Sequence, residues 1–284
     1  MVSTAELGTK APITWCAGCG DFGILNALKK TISDLNLPPE KVAVFSGIGC
    51  GADTPEWINV YGFHTLHGRP VPVASGAKLA NHDLTVIAVS GDGDGYGIGM
   101  GHLIHAMRRN IDMTYLVYDN GLYSLTTGQA SPTAEKGTAT KSTPNGVIET
   151  PVNPMVLAIA GGCTFVARGF AGDLIHLSGL IAEAIKHRGF ALVDILQPCV
   201  TFNKINTYQY YLKRVYKLGS KYDPTDKKKA FEKAEEWGDR IPIGVLYKEE
   251  RSTYADDLPQ ISKTPLVKQS ISKISVAELM KELE

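Results

Sequence analysis

What this sequence has too little of narrows it first. It has no surplus of one charge, since 29 Lys and Arg stand against 29 Asp and Glu. A nucleic-acid binder needs a basic excess, so that class of partner is disfavoured. It has no run approaching the ~18 consecutive apolar residues of a membrane helix. Residues 1–10 also show no apolar stretch behind a basic start. The expectation is a cytoplasmic protein with neither a membrane nor a nucleic acid as partner. Cysteine is scarce and odd in number, five in 284 residues, which argues against a disulfide framework and leaves metal or redox use to be judged by spacing. Internal repeats and low-complexity tracts are absent. What remains is 44% hydrophobic and 20% charged, a globular composition with length for one large domain or two small ones.

Glycine is in surplus, 29 residues against the ~7% of average proteins, and it concentrates in loops after apolar runs. Five such runs, 42–48, 84–90, 113–119, 163–168 and 190–196, are nearly continuous in apolar residues and read as strands covered on both faces. Segments 22–35, 97–109, 153–159 and 173–187 read as helices between them. The alternation predicts an α/β fold with a parallel sheet. Such sheets bind ligands beyond the C-terminal ends of their strands. Three runs end in the most unusual local sequences, Gly47-Ile48-Gly49-Cys50, Gly91-Asp92-Gly93-Asp94 and Asp119-Asn120-Gly121. One site built from three loops is expected.

Texture changes after Cys199. Residues 208–216 are aromatic and basic, 224–239 form a charged helix candidate opened by Asp226, and 241–247 is a last apolar run. A short amphipathic helix is expected at 276–283. The expected division is an α/β domain over 1–204 and a C-terminal extension over 205–284 that contacts a partner subunit; from residue 251 onward the polar chain either docks on a partner or is a solvated tail.

Asp92 and Asn120 end neighbouring strands, where their oxygens can converge on a hard cation such as Mg²⁺ or Ca²⁺. Glycines flanking Asp92 let backbone N–H groups approach a diphosphate, and a helix starting near Gly97 adds its N-terminal dipole. A dinucleotide reading fails because no window from Gly91 to Gly101 fits Gly-x-Gly-x-x-Gly. Cys16-Ala17-Gly18-Cys19, with Cys50 and Cys199 at two strand ends, offers four thiolates. These suit tetrahedral zinc or an iron–sulfur cluster, and spacing alone does not choose. A thioredoxin-type pair would need a helix starting after the first cysteine. Cys163 reads as an inert core thiol at the start of a strand. His102 and His105 read as packing residues, whereas His64 and His67 lie in a Gly- and Pro-rich loop between strands where polar residues often serve function. The run Lys227-Lys228-Lys229 reads as a solvated helix face, or as a lure for an acidic partner.

Six ordered blocks resemble the β subunit of 2-oxoacid:ferredoxin oxidoreductases: 46–50, 64–69, 76–81, 91–94, 105–110 and 128–133, within a match of about 14–254. The resemblance implies a thiamine diphosphate-binding, pyrophosphate-type domain with an N-terminal cluster segment. It implies Mg²⁺ on the side chains of Asp92 and Asn120 and on the Leu122 carbonyl, with Gly93, Asp94, Ser124 and Leu125 on the diphosphate. Ile48, Gly49, Cys50 and Gly51 match the loop near the thiazolium, and His67 a cofactor neighbour and catalytic candidate. Cys16, Cys19, Cys50 and Cys199 match the ligands of a [4Fe–4S] cluster.

The implied activity is oxidative decarboxylation of a 2-oxoacid with coenzyme A, the electrons passing to ferredoxin. An α subunit, or a fused γα subunit, would supply the pyrimidine-binding domain and its glutamate, so the chain alone should be inactive and work in an αβ or (αβ)₂ assembly. Relatives acting on 2-oxoglutarate often carry Lys where Thr127 stands, which tilts the expected substrate towards pyruvate or another oxoacid without a distal charge. Gly51-Ala52-Asp53 and Asn81-His82 depart from the family's usual serines and Asn-Pro. A non-catalytic zinc or iron–sulfur scaffold, or an electron-transfer subunit without thiamine chemistry, is the alternative.

Overall fold

The computed structural model describes residues 2–272 and 275–282. Alternation along each strand decides what covers which face of the sheet. In β3 (Thr85–Gly91), Ile87 and Val89 enter the core beneath α1 (Asp21–Asp34) and α5 (Leu174–Lys186). Val86 and Ala88 enter the opposite core, beneath α2 (Pro70–Ala80), α3 (Met100–Arg109), α4 (Pro154–Ala160) and α7 (Lys227–Glu235). A strand with helices on both faces buries both sets of side chains, which is why its sequence reads as one apolar run. Leu28 and Leu116 are fully buried in the first core, and truncating either to alanine removes about 2–5 kcal/mol of stability.

Eight strands form the sheet in the order β2 (Tyr61–His64), β1 (Val42–Ser46), β3, β4 (Met113–Asp119), β8 (Phe190–Leu196), β7 (Phe165–Phe170), β10 (Ile241–Lys248) and β9 (Val215–Lys217). All neighbours are parallel except β10, which runs antiparallel to β7. From β1 the chain steps outward to β2, then returns through α2 to β3 on the other side of β1. The order therefore reverses between β1 and β3. Loops leaving these two strands diverge and open a crevice at their C-terminal ends, the usual ligand position in such sheets. A short antiparallel pair, β5 (Leu122–Tyr123) and β6 (Gln129–Ala130), stands over that crevice.

Short polar side chains start α4, α5 and α7. Asn153 accepts the N–H groups of Met155 and Val156, both at 3.1 Å, and Asp173 accepts that of His176 at 3.1 Å. Asp226 caps α7 in the same way, as its position in the sequence predicts. Such a cap is worth about 1 kcal/mol.

Several expectations shift. The helix expected over 97–109 begins at Met100, because Gly93–Ile98 forms a wide turn broken at Gly97. The strand expected at 163–168 lies at Phe165–Phe170, so Cys163 precedes it and its buried thiol contacts the Phe165 and Phe190 carbonyl oxygens. The segment expected as a loop around His64 and His67 contains β2 and leads into α2. The exposed Tyr-Gly-Phe-His strand has no apolar run to betray it, and Pro70 at the first turn of α2 looks like a breaker although it favours helix starts. Beyond residue 204, α6 (Tyr208–Leu212) packs on β7 and β8 through Tyr211, and β9 and β10 complete the same sheet. The last helix, α8, spans Val276–Lys281; the expected helix ran to residue 283, which lies outside the described residues. No described helix is long and apolar enough to cross a membrane.

Candidate functional site

Loops after β1, β3 and β4 meet in the crevice. They enclose a cavity of about 110 Å³ that Ile48, Gly49, Cys50 and Gly51 line from the first loop, and Asp92, Gly93 and Asp94 from the second. Asn120, Leu122, Ser124 and Leu125 line it from the third, and His67 closes one side. Every residue expected around the diphosphate and its cation therefore borders one space.

Asp92 is fully buried. Its Oδ2 accepts hydrogen bonds from the Ser131 hydroxyl at 2.5 Å and the Thr133 hydroxyl at 2.6 Å, while Oδ1 has no partner. Burial, then the charge of Asp119, pushes this carboxyl well above the usual carboxylate range. A buried, unpaired carboxylate oxygen is costly unless a cation meets it. Asn120 Oδ1 accepts from the Leu122 N–H at 3.0 Å and the Ser124 hydroxyl at 3.1 Å, and its Nδ2 donates to Gln197 Oε1 at 2.6 Å. The Ser124 hydroxyl can rotate away and leave that oxygen free for a metal. Asp92 and Asn120 thus have the donor chemistry of a Mg²⁺ site.

Asp94 lines the cavity, and its carboxyl is occupied by the protein itself. Its Oδ1 accepts the N–H groups of Ile48 at 3.1 Å and Gly68 at 2.6 Å and is bonded to His67 Nδ1, while Oδ2 accepts the Ser90 hydroxyl at 2.5 Å. The carboxyl ties the β1 and β2 loops to β3, and only its backbone is left for a ligand. Gly47 is required here, because a Cβ would lie 1.8 Å from Asp94 Oδ2; at Gly93 a Cβ would lie 2.3 Å from the Tyr123 ring.

A second cavity, of about 190 Å³, adjoins the first. Cys16, Cys19, Cys50 and Cys199 all line it, and all are free thiols. Cys50, Asp21, Asn120, Ser124 and Leu125 border both spaces. Burial pushes the Cys50 thiol up to about 12, and burial with the Asp21 charge raises Cys19. Deprotonation of these thiols requires a cationic centre among them. Among the described residues, no three His, Cys, Asp or Glu side chains converge closely enough to hold a single ion. The four cysteines nonetheless line one space. Trp15 Nε1 donates to the Cys50 carbonyl at 2.7 Å, and Gln197 Nε2 to Cys19 Sγ at 3.2 Å, which fixes two walls.

Residues that sequence reasoning missed include Ser131, Thr133, Gln197 and Asp21. Asp21 follows Cys19 by two residues, is buried with neither oxygen hydrogen-bonded, and is pushed up to about 7 by that burial. Behind Asp119 lies a further buried group: Arg168 Nε stands 3.8 Å from Asp194 Oδ2, and Asp194 Oδ1 accepts the Tyr96 hydroxyl at 2.8 Å.

Comparison with known proteins adds to this geometry. Residues 47–195 match the model of the thiamine pyrophosphate enzyme C-terminal TPP-binding domain, and residues 199–263 that of the C-terminal part of the pyruvate ferredoxin oxidoreductase β chain. The chain is 50% identical over 266 residues to the 2-oxoacid:ferredoxin oxidoreductase subunit β of Saccharolobus solfataricus, covering 89% of this chain and 87% of that one. It is 49% identical to the 2-oxoacid:ferredoxin oxidoreductase 1 subunit β of Aeropyrum pernix, covering 90% and 84%. The solved 2-oxoglutarate:ferredoxin oxidoreductase of Magnetococcus marinus, with 2-oxoglutarate, coenzyme A and succinyl-CoA bound, superposes with a TM-score of 0.93 at 38% identity. The match covers 100% of this chain and 96% of that one.

Proposed function

Because this chain belongs to the family of 2-oxoacid:ferredoxin oxidoreductase β subunits, we propose that its adjoining cavities hold thiamine diphosphate with Mg²⁺ and a [4Fe–4S] cluster. The reaction is oxidative decarboxylation of a 2-oxoacid with coenzyme A to acyl-CoA and CO₂, electrons leaving to ferredoxin. The observation that carries this reading is the pair of cavities itself: one has a buried unpaired carboxylate oxygen, the other four thiols, and Cys50 belongs to both.

When bound, thiamine diphosphate would supply carbanion chemistry and the cluster one-electron transfer. Asp92, through its unpaired Oδ1, Asn120 and the Leu122 carbonyl would hold Mg²⁺. Gly93, Ser124, Leu125 and the Asp94 backbone cradle the diphosphate, while residues 48–51 line the thiazolium side and His67 faces the reacting groups. Cys16, Cys19, Cys50 and Cys199 hold the cluster. The α subunit, or a fused γα subunit, covers the open side of the crevice and supplies the group that activates the pyrimidine, and residues 205–284 contribute to that contact. Free thiols and an iron–sulfur centre suit a reducing cytoplasm.

Metal and cofactor analysis of the anaerobically purified complex tests the reading. About four irons with equal sulfide, and one thiamine diphosphate per β chain, are expected. Zinc in place of iron, or absence of thiamine diphosphate binding, would overturn it.

A further inference from the structure

We infer that Asp94 is a positioning residue: it holds His67 with its proton on Nδ1 and its bare Nε2 turned to the cofactor cavity, where Nε2 takes up the proton released by the reaction. The inference rests on the proposed thiamine diphosphate reading of this cavity. It adds a task for two side chains, one of which the hydrogen bonds had removed from the diphosphate.

A proton on His67 Nδ1 follows from what else Asp94 touches. Its side chain is 0% exposed. Backbone N–H groups of Ile48 and Gly68 and the Ser90 hydroxyl all donate to it, so the carboxyl is built as an acceptor. His67 Nδ1 bonds the same Oδ1, and toward an acceptor the ring must present N–H. A neutral imidazole with its proton on Nδ1 has none on Nε2. The ring is fixed further by the Gly68 amide, one residue along and tied to the same oxygen, and by edge-on packing against Tyr123 with centroids 6.1 Å apart.

The other titratable groups around the cavity have different tasks. Asp92 faces the metal position, the Asp94 oxygens are filled, and Asp21 lies on the side shared with the thiols. Tyr123 donates its hydroxyl to the Gly93 carbonyl at 3.1 Å, and burial with the nearby carboxylates raises its phenol. Among the described residues, His67 is the histidine that lines this space.

The stoichiometry needs such an acceptor. A 2-oxoacid anion and a thiol give a thioester, CO₂, two electrons and one proton. The proton leaves coenzyme A: the S–H bond breaks towards Nε2 of His67, and sulfur keeps the electron pair and bonds the acyl carbon. The two electrons removed from that carbon have passed to ferredoxin. His67 then returns the proton to water.

The test uses the assembled complex carrying H67Q, D94N or both. H67Q lowers kcat by roughly 10²-fold or more, with KM for the 2-oxoacid changed by less than about threefold. D94N acts in the same direction, and the double variant is no worse than H67Q alone, because both changes interrupt one device. Ring-¹⁵N-histidine spectra of cofactor-free complex give an independent readout: the resonance that H67Q removes is protonated at Nδ1 and bare at Nε2, and D94N shifts it. Losses that multiply, or a wild-type His67 protonated at Nε2, would overturn the inference. Should D94N fail to assemble, the wild-type spectrum decides alone. Calorimetric titration with thiamine diphosphate separates the two readings. Wild type that fails to bind sinks the cofactor assignment, whereas equal binding by wild type and H67Q with multiplying losses sinks only the role of Asp94.

Discussion

Asp92 Oδ2 and Asp119 Oδ1 lie against the same hydroxyl, that of Thr133, at 2.6 and 2.7 Å. A hydroxyl has one proton and can donate to only one of them, so the two buried carboxyls compete. Removing this shared donor misplaces Asp92. T133A is expected to weaken Mg²⁺-dependent thiamine diphosphate binding by about 10–100-fold, and D92A to abolish it. Titration calorimetry in Mg²⁺ buffer checks both. Unchanged affinity in D92A would remove Asp92 from the site.

The same carboxyls set a pH dependence. Burial raises Asp92 and Asp119, and raises Asp194 to about 8. An acid whose folded-state pKa lies above its unfolded one binds its proton more tightly in the fold, so stability is full below the ordinary carboxylate range and declines as pH rises towards the raised value. Cofactor-free protein should therefore melt at a higher temperature near pH 5 than near pH 8. Saturating Mg²⁺ and thiamine diphosphate should lessen the decline, because the cation compensates Asp92. Scanning calorimetry across that window reads both effects, and a melting temperature that climbs with pH would contradict the assignment.

Arg168 is the buried cation beside Asp194, and its Nε and Nη1 have no hydrogen-bond partner. Above about pH 8, where Asp194 is ionised, R168M leaves Asp194 and Asp119 without this counter-charge and should cost about 3–5 kcal/mol in denaturant unfolding. Adding D194N should recover part of that loss. An R168M protein as stable as wild type would show that the guanidinium does not compensate these acids.

Thr127 adjoins Thr126, which lines the cofactor cavity, and it offers a distal carboxylate no charge. The assembled enzyme should accept pyruvate over 2-oxoglutarate by about tenfold in kcat/KM, and T127K should narrow that ratio by a similar factor, the worth of one charge-assisted hydrogen bond. Steady-state kinetics with both acids decides. A wild-type preference for 2-oxoglutarate would place recognition of the distal group elsewhere in the complex.

Much of the site was legible because strand ends carry it. Continuous apolar runs located β1, β3 and β4, so the loops holding Cys50, Asp92 and Asn120 could be brought together from the order of residues alone. The cysteine set was legible through Cys16-x-x-Cys19 and two isolated thiols. What did not show was whatever depends on partners distant in sequence. Ser131 and Thr133 reach Asp92 only because β5 and β6 fold the chain back over the crevice. The resemblance puts Asp94 on the diphosphate, and the further role of its carboxyl as a tie between loops depends on Ile48 and Gly68, which lie far from it in sequence. The β2 strand was hidden because an exposed edge needs no apolar run, and α2 because prolines mask a helix start.

Cys16 is exposed, whereas Cys19 and Cys199 are buried. A metal centre held by these residues would lie nearest to solvent beside Cys16, and a redox protein docking there would find a short way in. Dioxygen would reach the centre from that same side. Aerobic damage should therefore begin at residue 16, and shielding that side would also hold back the outgoing electrons.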